Sequence, residues 1–178
     1  QTILDEVLER LHPQVDDVVL NVNGHAERFG SFGLPCIADS LTGYLGPLAG
    51  VLAALEYARE HQFNWVASVA ADTPFFPTDF VARAMGKALE SQAPVVLASS
   101  FDDEKSKWMR HPTFGLWNVS LENNLRDALQ SGIRKIVIWT DSVRGAEVQF
   151  AHASGSRDPF FNVNTREDLV VAQQEEQR

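Results

Sequence analysis

Asp72 closes the apolar run Trp65-Val66-Ala67-Ser68-Val69-Ala70-Ala71 and is followed at once by Thr73-Pro74-Phe75-Phe76-Pro77. A carboxylate aimed off the end of a buried strand can cap a turn, pair with a cation or hold a ligand. Three other polar stations share this setting. Asn23 follows Val18-Val19-Leu20, Asp39 follows Pro35-Cys36-Ile37-Ala38, and Gly46-Pro47 opens a helix whose first amides are free for an anion or an electron-rich base edge. Each has a plain structural reading: Asn23-Gly24 a turn, Asp39-Ser40 a cap, Gly46-Pro47 a helix start, Asp72 an acceptor within its own turn. Together they fall at the carboxyl ends of predicted strands, the edge where open parallel sheets bind ligands.

The elements that must carry these residues alternate between helical and strand patterns, which predicts a three-layer α/β/α sandwich around a mostly parallel sheet. Residues 2–11 place Ile3, Leu4, Val7, Leu8 and Leu11 at helical spacing, and His12-Pro13 stops them. Residues 18–20 read as a short buried strand. The helix from Gly46-Pro47 carries Leu48, Val51, Leu52, Leu55 and Ala58 on one face, with proline suited to its first turn. Strands are expected over residues 65–70, 95–98, 113–117 and, at an edge, 146–150; helices over 78–89 and 121–129. Residues 133–139 fit either period, and Thr165-Arg166-Glu167-Asp168 is a cap for a last helix running toward Gln173 and Gln174. Gly50, in the first turns of its helix, serves close packing or ligand approach equally well.

With 178 residues, 44% of them hydrophobic, the chain has the size of one globular domain and needs no staples. A net charge of −9 argues against a nucleic-acid partner, and there is no apolar run of membrane-spanning length. The one cysteine, Cys36, is expected to be a buried, inert thiol, and the whole reads as a cytoplasmic protein. The segment Asp102-Asp103-Glu104-Lys105-Ser106-Lys107 is expected to be a solvated loop.

The stretches Asn21-Val22-Asn23-Gly24-His25, Asp39-Ser40, Gly46-Pro47-Leu48-Ala49-Gly50, Asp72-Thr73-Pro74, His111-Pro112 and Phe161-Asn162-Val163-Asn164-Thr165 occur in an order and spacing that resembles the molybdenum cofactor guanylyltransferases over nearly the whole chain. The resemblance implies a Rossmann-like fold of the nucleotide-diphospho-sugar transferase type. It also implies an enzyme that transfers GMP from GTP to the terminal phosphate of molybdopterin, releases pyrophosphate and uses Mg2+. Asp72 would then be the metal ligand and the catalytic carboxylate, with Asn23, Asp39, Gly46 and Pro47 at the guanine nucleotide. His111, Asn162 and Asn164 would lie on the pterin side, and Arg110-His111 could offer charge to a phosphate. Partners would be GTP and molybdopterin, with transient contact to other molybdenum cofactor proteins.

In one respect the chain departs from that family, which begins with a strand and a glycine-rich loop carrying arginine and lysine. None of Lys87, Lys105, Lys107 or Lys135 has a glycine-rich setting, so the first strand and phosphate loop are expected to lie outside this chain, leaving it unable to catalyse alone. Three other readings stay open: a cytidylyl enzyme of the same pathway, against which Thr73 speaks because glutamine is expected there; a sugar-phosphate nucleotidyltransferase; and a non-catalytic nucleotide-binding domain on the same fold.

Overall fold

The structure, a computed structural model, describes residues 2–43, 45–152, 156–165 and 168. Helix α1 (Ile3–Leu11) starts at a reciprocal cap. The Asp5 amide donates to Thr2 Oγ1 at 3.2 Å, and the Thr2 amide donates to Asp5 Oδ2 at 2.6 Å. His12–Gln14 continues it as a single tight turn around Pro13, and the chain then reaches strand β1 (Leu20–Asn21). That strand is shorter than its valines suggested, although Val18 is buried. After a turn of 3-10 helix over Ala26–Phe32, strand β2 (Cys36–Ile37) pairs with β1 in parallel. Because β2 belongs only to this outer pair, Cys36 is exposed, which corrects the expectation of a buried thiol.

Helix α2 (Pro47–Glu60) begins at Gly46, whose φ of 73° and ψ of −169° explain glycine at that joint. The remaining elements are strand β3 (Trp65–Ser68), helix α3 (Phe80–Ser91), strand β4 (Val95–Asp102), strand β5 (Lys107–Asn118), helix α4 (Glu122–Gln130), helix α5 (Ile136–Ser142) and strand β6 (Ala146–Phe150). The ambiguous stretch is therefore coil, then helix. Trp139 decides it by burying fully against Trp117, with ring centroids 6.0 Å apart. The charged segment is the tip of a β4–β5 hairpin, where Lys105 Nζ donates to Asp102 Oδ2 at 2.8 Å. Most of the last expected helix lies outside the described residues. Its cap is in place: the Asp168 amide donates to Thr165 Oγ1 and the Thr165 amide to Asp168 Oδ2, both at 3.0 Å.

β3, β5, β4 and β6 form one sheet in that spatial order. β5 runs antiparallel to both of its neighbours and β6 parallel to β4, so β3, β4 and β6 point the same way and β5 alone is reversed. Alternation along β4 builds the layers. Val96 and Ala98 join α1 and α3 on one face, while Val95 and Leu97 join α2, α4 and α5 on the other. The β4–β5 register shifts after Leu97, so that Ala98 faces His111 and Ser100 faces Met109. Pro112 falls in this irregular stretch, a setting that tolerates a residue without an amide donor. No helix among the described residues is long and apolar enough to cross a membrane.

The first face is stitched by aromatic rings. Phe80, fully buried, meets Phe114 edge-on at 5.8 Å and Phe76 at 6.3 Å, and Phe160 joins from the far end of the chain at 4.8 Å from Phe114. Removing one such ring forfeits its burial and leaves a cavity that close-packed neighbours cannot fill. Phe80→Ala is expected to lower stability by about 4 kcal/mol, read from the urea midpoint at unchanged slope.

Candidate active site

Two polar clusters stand at the strand ends. In the first, strand β1 delivers Asn21 and β2 leads into Asp39. Asn21 Nδ2 donates to Asp39 Oδ1 at 3.0 Å, Asn23 Nδ2 donates to Asp39 Oδ2 at 2.8 Å, and the Asp39 amide donates back to Asn23 Oδ1 at 3.0 Å. A carboxylate held by two amide groups is fixed in orientation, yet each oxygen keeps a lone pair for a ligand. Helix α2 packs directly on this clasp: a Cβ at Gly50 would lie 2.5 Å from Asn21 Oδ1. The glycine is therefore explained by close packing against Asn21. Ser40 extends the support, donating to Glu56 Oε1 at 2.8 Å, while Arg126 Nη2 reaches the same oxygen at 2.6 Å.

In the second cluster, Asp72 lies beyond the end of β3 in a turn closed by the Thr73 amide donating to the Ala70 carbonyl at 3.3 Å. Thr73 is fully buried, and its Oγ1 stands 3.1 Å from Asp72 Oδ1 and 2.9 Å from Asn162 Oδ1, so one hydroxyl hydrogen is shared between carboxylate and amide. The Val163 amide donates to the Asp72 carbonyl at 2.7 Å. Asn164, exposed, follows on the same segment, its amide donating to Asp168 Oδ2 at 3.3 Å.

A cavity of about 490 Å³ separates β1 from β3; Asn21 of the first cluster lines it, and the second cluster begins just past its far bank. Asn21, Pro47 and Gly50 line one bank; Ser68, Val69 and Ala70 line the other. Pro47 thus shares a bank with Asn21 of the clasp, Gly46 precedes it at the helix start, and Asp72 lies two residues past Ala70 on the far bank. Among the described residues no three His, Cys, Asp or Glu side chains gather into a metal cage. One carboxylate at a strand end does fit an ion that keeps several waters and takes further ligands from substrate phosphates.

His111 is placed differently from the expectation of a phosphate-facing cation. Its Nε2 lies 2.7 Å from Ser100 Oγ, and its ring stacks on Phe160 at 4.5 Å. Burial pushes its pKa down, favouring the uncharged ring, and the Asp158 carboxylate pulls it partly back up. Arg110 is drawn aside by Asp141 at 2.6 Å and Glu147 at 3.8 Å. Asn21, Ser100 and Asp158 escaped the sequence reading as site residues, and Thr73 entered it only as a mark against a cytidylyl enzyme. Asn21 alone had a local signal: it shares a strand face with Asn23, two residues on. Thr73, Ser100 and Asp158 acquire their roles only through partners 11 to 89 residues away.

Comparison with known proteins agrees with this architecture. The family model described as MobA-like NTP transferase domain matches residues 1–144. A molybdenum cofactor guanylyltransferase of Nitrobacter hamburgensis is 43% identical over 175 residues, covering 97% of this chain and 80% of that protein. One from Yersinia pestis is 36% identical over 168 residues, covering 94% and 79%. Among solved structures, the molybdopterin-guanine dinucleotide biosynthesis protein A of Archaeoglobus fulgidus superposes with a TM-score of 0.71 at 22% identity, covering 98% of this chain and 85% of that one. The 2-C-methyl-D-erythritol 4-phosphate cytidylyltransferase of Thermus thermophilus gives 0.69 at 16% identity, covering 100% and 90%, a likeness of fold alone. The chain belongs to the MobA-like NTP transferase domain family, on the branch of the molybdenum cofactor guanylyltransferases.

Proposed function

We propose that this protein transfers GMP from GTP to the terminal phosphate of molybdopterin, releasing pyrophosphate, with Asp72 holding Mg2+ at the triphosphate. The observation that carries this reading is the pair of carboxylates fixed by hydrogen bonds beyond β2 and β3, Asp39 clasped by Asn21, which lines the cavity, and Asp72 two residues past Ala70 on its other bank, in a chain 43% identical to a relative of that name. In the reaction a phosphate oxygen of the acceptor forms a bond to the α-phosphorus while the bond from that phosphorus to the bridging αβ oxygen breaks, and pyrophosphate leaves with the electron pair. The acceptor phosphate is ionised near neutrality, so no general base is required.

Asn23 and Asp39 would take the base or ribose of the nucleotide, and Gly46 and Pro47 let the ligand approach the start of α2 closely. Asn162 and Asn164 offer donors and acceptors to a heterocycle edge. Magnesium, when bound, screens the acceptor phosphate from the triphosphate and polarises the attacked phosphorus. The role of His111 is to hold the segment carrying Asn162, as its contacts with Ser100 and Phe160 suggest.

The triphosphate cradle would come from an extended, glycine-rich segment seated between β1 and β3. β3 is an edge strand of its sheet that packs apolar residues on both faces, Trp65 and Ala67 on one and Val66 on the other, yet all four of its residues stay only half-buried where the flanked strand β4 is buried from Val95 to Ser100. On β1 the Leu20 and Val22 amides bond to the Pro35 and Ile37 carbonyls, which turns the backbone of Asn21 toward the cavity. A parallel strand there would join the two sheets into one. Expressed from its complete reading frame, the protein should protect the amides of β3 from hydrogen exchange at least tenfold more than the 178-residue chain does; equal protection would remove the strand from the account.

Two substitutions test the chemistry in that complete protein. Asp72→Asn keeps the shape and removes the charge, so pyrophosphate release should fall about a hundredfold, a barrier rise of roughly 3 kcal/mol, with the melting temperature within about 2 °C of the parent. Near-normal turnover with a lowered melting temperature would make Asp72 a turn residue only. Gly50→Ala should push Asn21 off Asp39 and weaken GTP binding about tenfold by calorimetry, with unchanged affinity disconnecting the clasp from the nucleotide.

A further inference from the structure

Three side chains lie together behind Asn162. Ser100, on β4, is fully buried; its Oγ donates to Asp158 Oδ2 at 2.6 Å and stands 2.7 Å from His111 Nε2. Ser100 faces Met109 across the ladder, so His111, two residues further along β5, is its diagonal neighbour on the same face. A hydroxyl has one hydrogen and an ionised carboxylate only accepts. Ser100 therefore gives its hydrogen to Asp158 and must receive one from His111, which fixes Nε2 as the protonated ring nitrogen. The result is a one-way chain of hydrogen bonds, from His111 through Ser100 to Asp158.

Asp158 passes this anchoring on. Its Oδ1 accepts the Phe160 amide at 2.8 Å and its carbonyl accepts the Phe161 amide at 3.0 Å. Phe160 is buried on the His111 ring, and the next residues are Asn162, which meets Thr73, and Val163, which bonds the Asp72 carbonyl. The segment is thus fastened at one end to β4 and β5 and at the other to the Asp72 turn.

We propose that Ser100, His111 and Asp158 are positioning residues that set Asn162 and Val163 against the Asp72 turn, governing turnover without touching the nucleotide. This rests on the guanylyl-transfer reading for its kinetic consequence and on geometry alone for the coupling. Nothing in the arrangement suits direct chemistry by Ser100, since its hydroxyl is sealed from solvent and committed on both sides.

The test compares Asp158→Ala with Asp158→Asn in the complete protein; the asparagine oxygen still accepts the Phe160 amide, and its NH2 group can donate to Ser100 Oγ, which then gives its own hydrogen to the other tautomer of His111. Asp158→Ala should speed hydrogen exchange over residues 160–163 at least tenfold while residues 95–100 of β4 stay protected. It should also lower kcat about tenfold with KM for GTP within twofold. Asp158→Asn should restore most of both. Unchanged exchange at residues 160–163 overturns the coupling. Loss of protection in β4 as well makes the relay a general staple and overturns the positioning role. Restored exchange without restored kcat in Asp158→Asn overturns it too, by making the carboxylate charge itself the active feature. A parent protein that releases no pyrophosphate from GTP refutes the guanylyl reading, and the exchange data then decide the relay alone.

Discussion

The peptide hydrogen bond from the Val163 amide to the Asp72 carbonyl, 2.7 Å long, is the constraint on which the rest of the site depends. It fastens the turn after β3 to a segment that arrives after every other described strand and helix has been laid down. Thr73 reinforces it by sharing a buried hydroxyl between Asp72 and Asn162. A carboxylate at the end of a four-residue edge strand would otherwise rest on a short turn alone. Behind the joint, the aromatic cluster from Phe76 to Phe160 converts apolar burial into placement, because the backbone that buries Phe160 also delivers Asn162.

The second organising fact is electrostatic. A chain with a net charge of −9 that handles phosphates must meet their charge locally. Several of its cations are already committed: Arg110 to Asp141, Arg126 to Glu56 and Glu122, Arg59 to Glu122, Lys105 to Asp102. Those pairs tie β5 to α5, hold α2 against α4 and close the hairpin, and none of their residues lines the cavity. Site chemistry in this chain therefore rests on carboxylates and amides, which suits recognition of a neutral base and retention of a hydrated ion.

Much of this was legible in the sequence because local rules and tertiary demands agree there. Ile3, Leu4, Val7, Leu8 and Leu11 at helical spacing became α1, Gly46-Pro47 opened α2, and the apolar run at residues 95–98 became the start of β4. The Asn-x-Asn, Asp39 and Asp-Thr-Pro motifs fell at strand ends, where an α/β sheet gathers ligands. What was hidden is non-local. Cys36 lies in an apolar tetrapeptide but is exposed, because β2 belongs only to an outer pair. Residues 133–139 served either period until the burial of Trp139 on Trp117 chose a helix. The reversal of β5 followed from its hairpin with β4, whose charged tip read as plain loop. His111 looked like a phosphate ligand, whereas a register shift at Pro112 set it diagonally across from Ser100, and no spacing rule anticipates such a shift.

Nucleotide choice tests the central claim most directly. GTP and CTP titrated separately into the complete protein with Mg2+ present, followed by calorimetry, compare the two bases at one site. The account predicts that GTP binds at least about tenfold more tightly, a difference of about 1.4 kcal/mol. Equal affinities, or tighter binding of CTP, would contradict it.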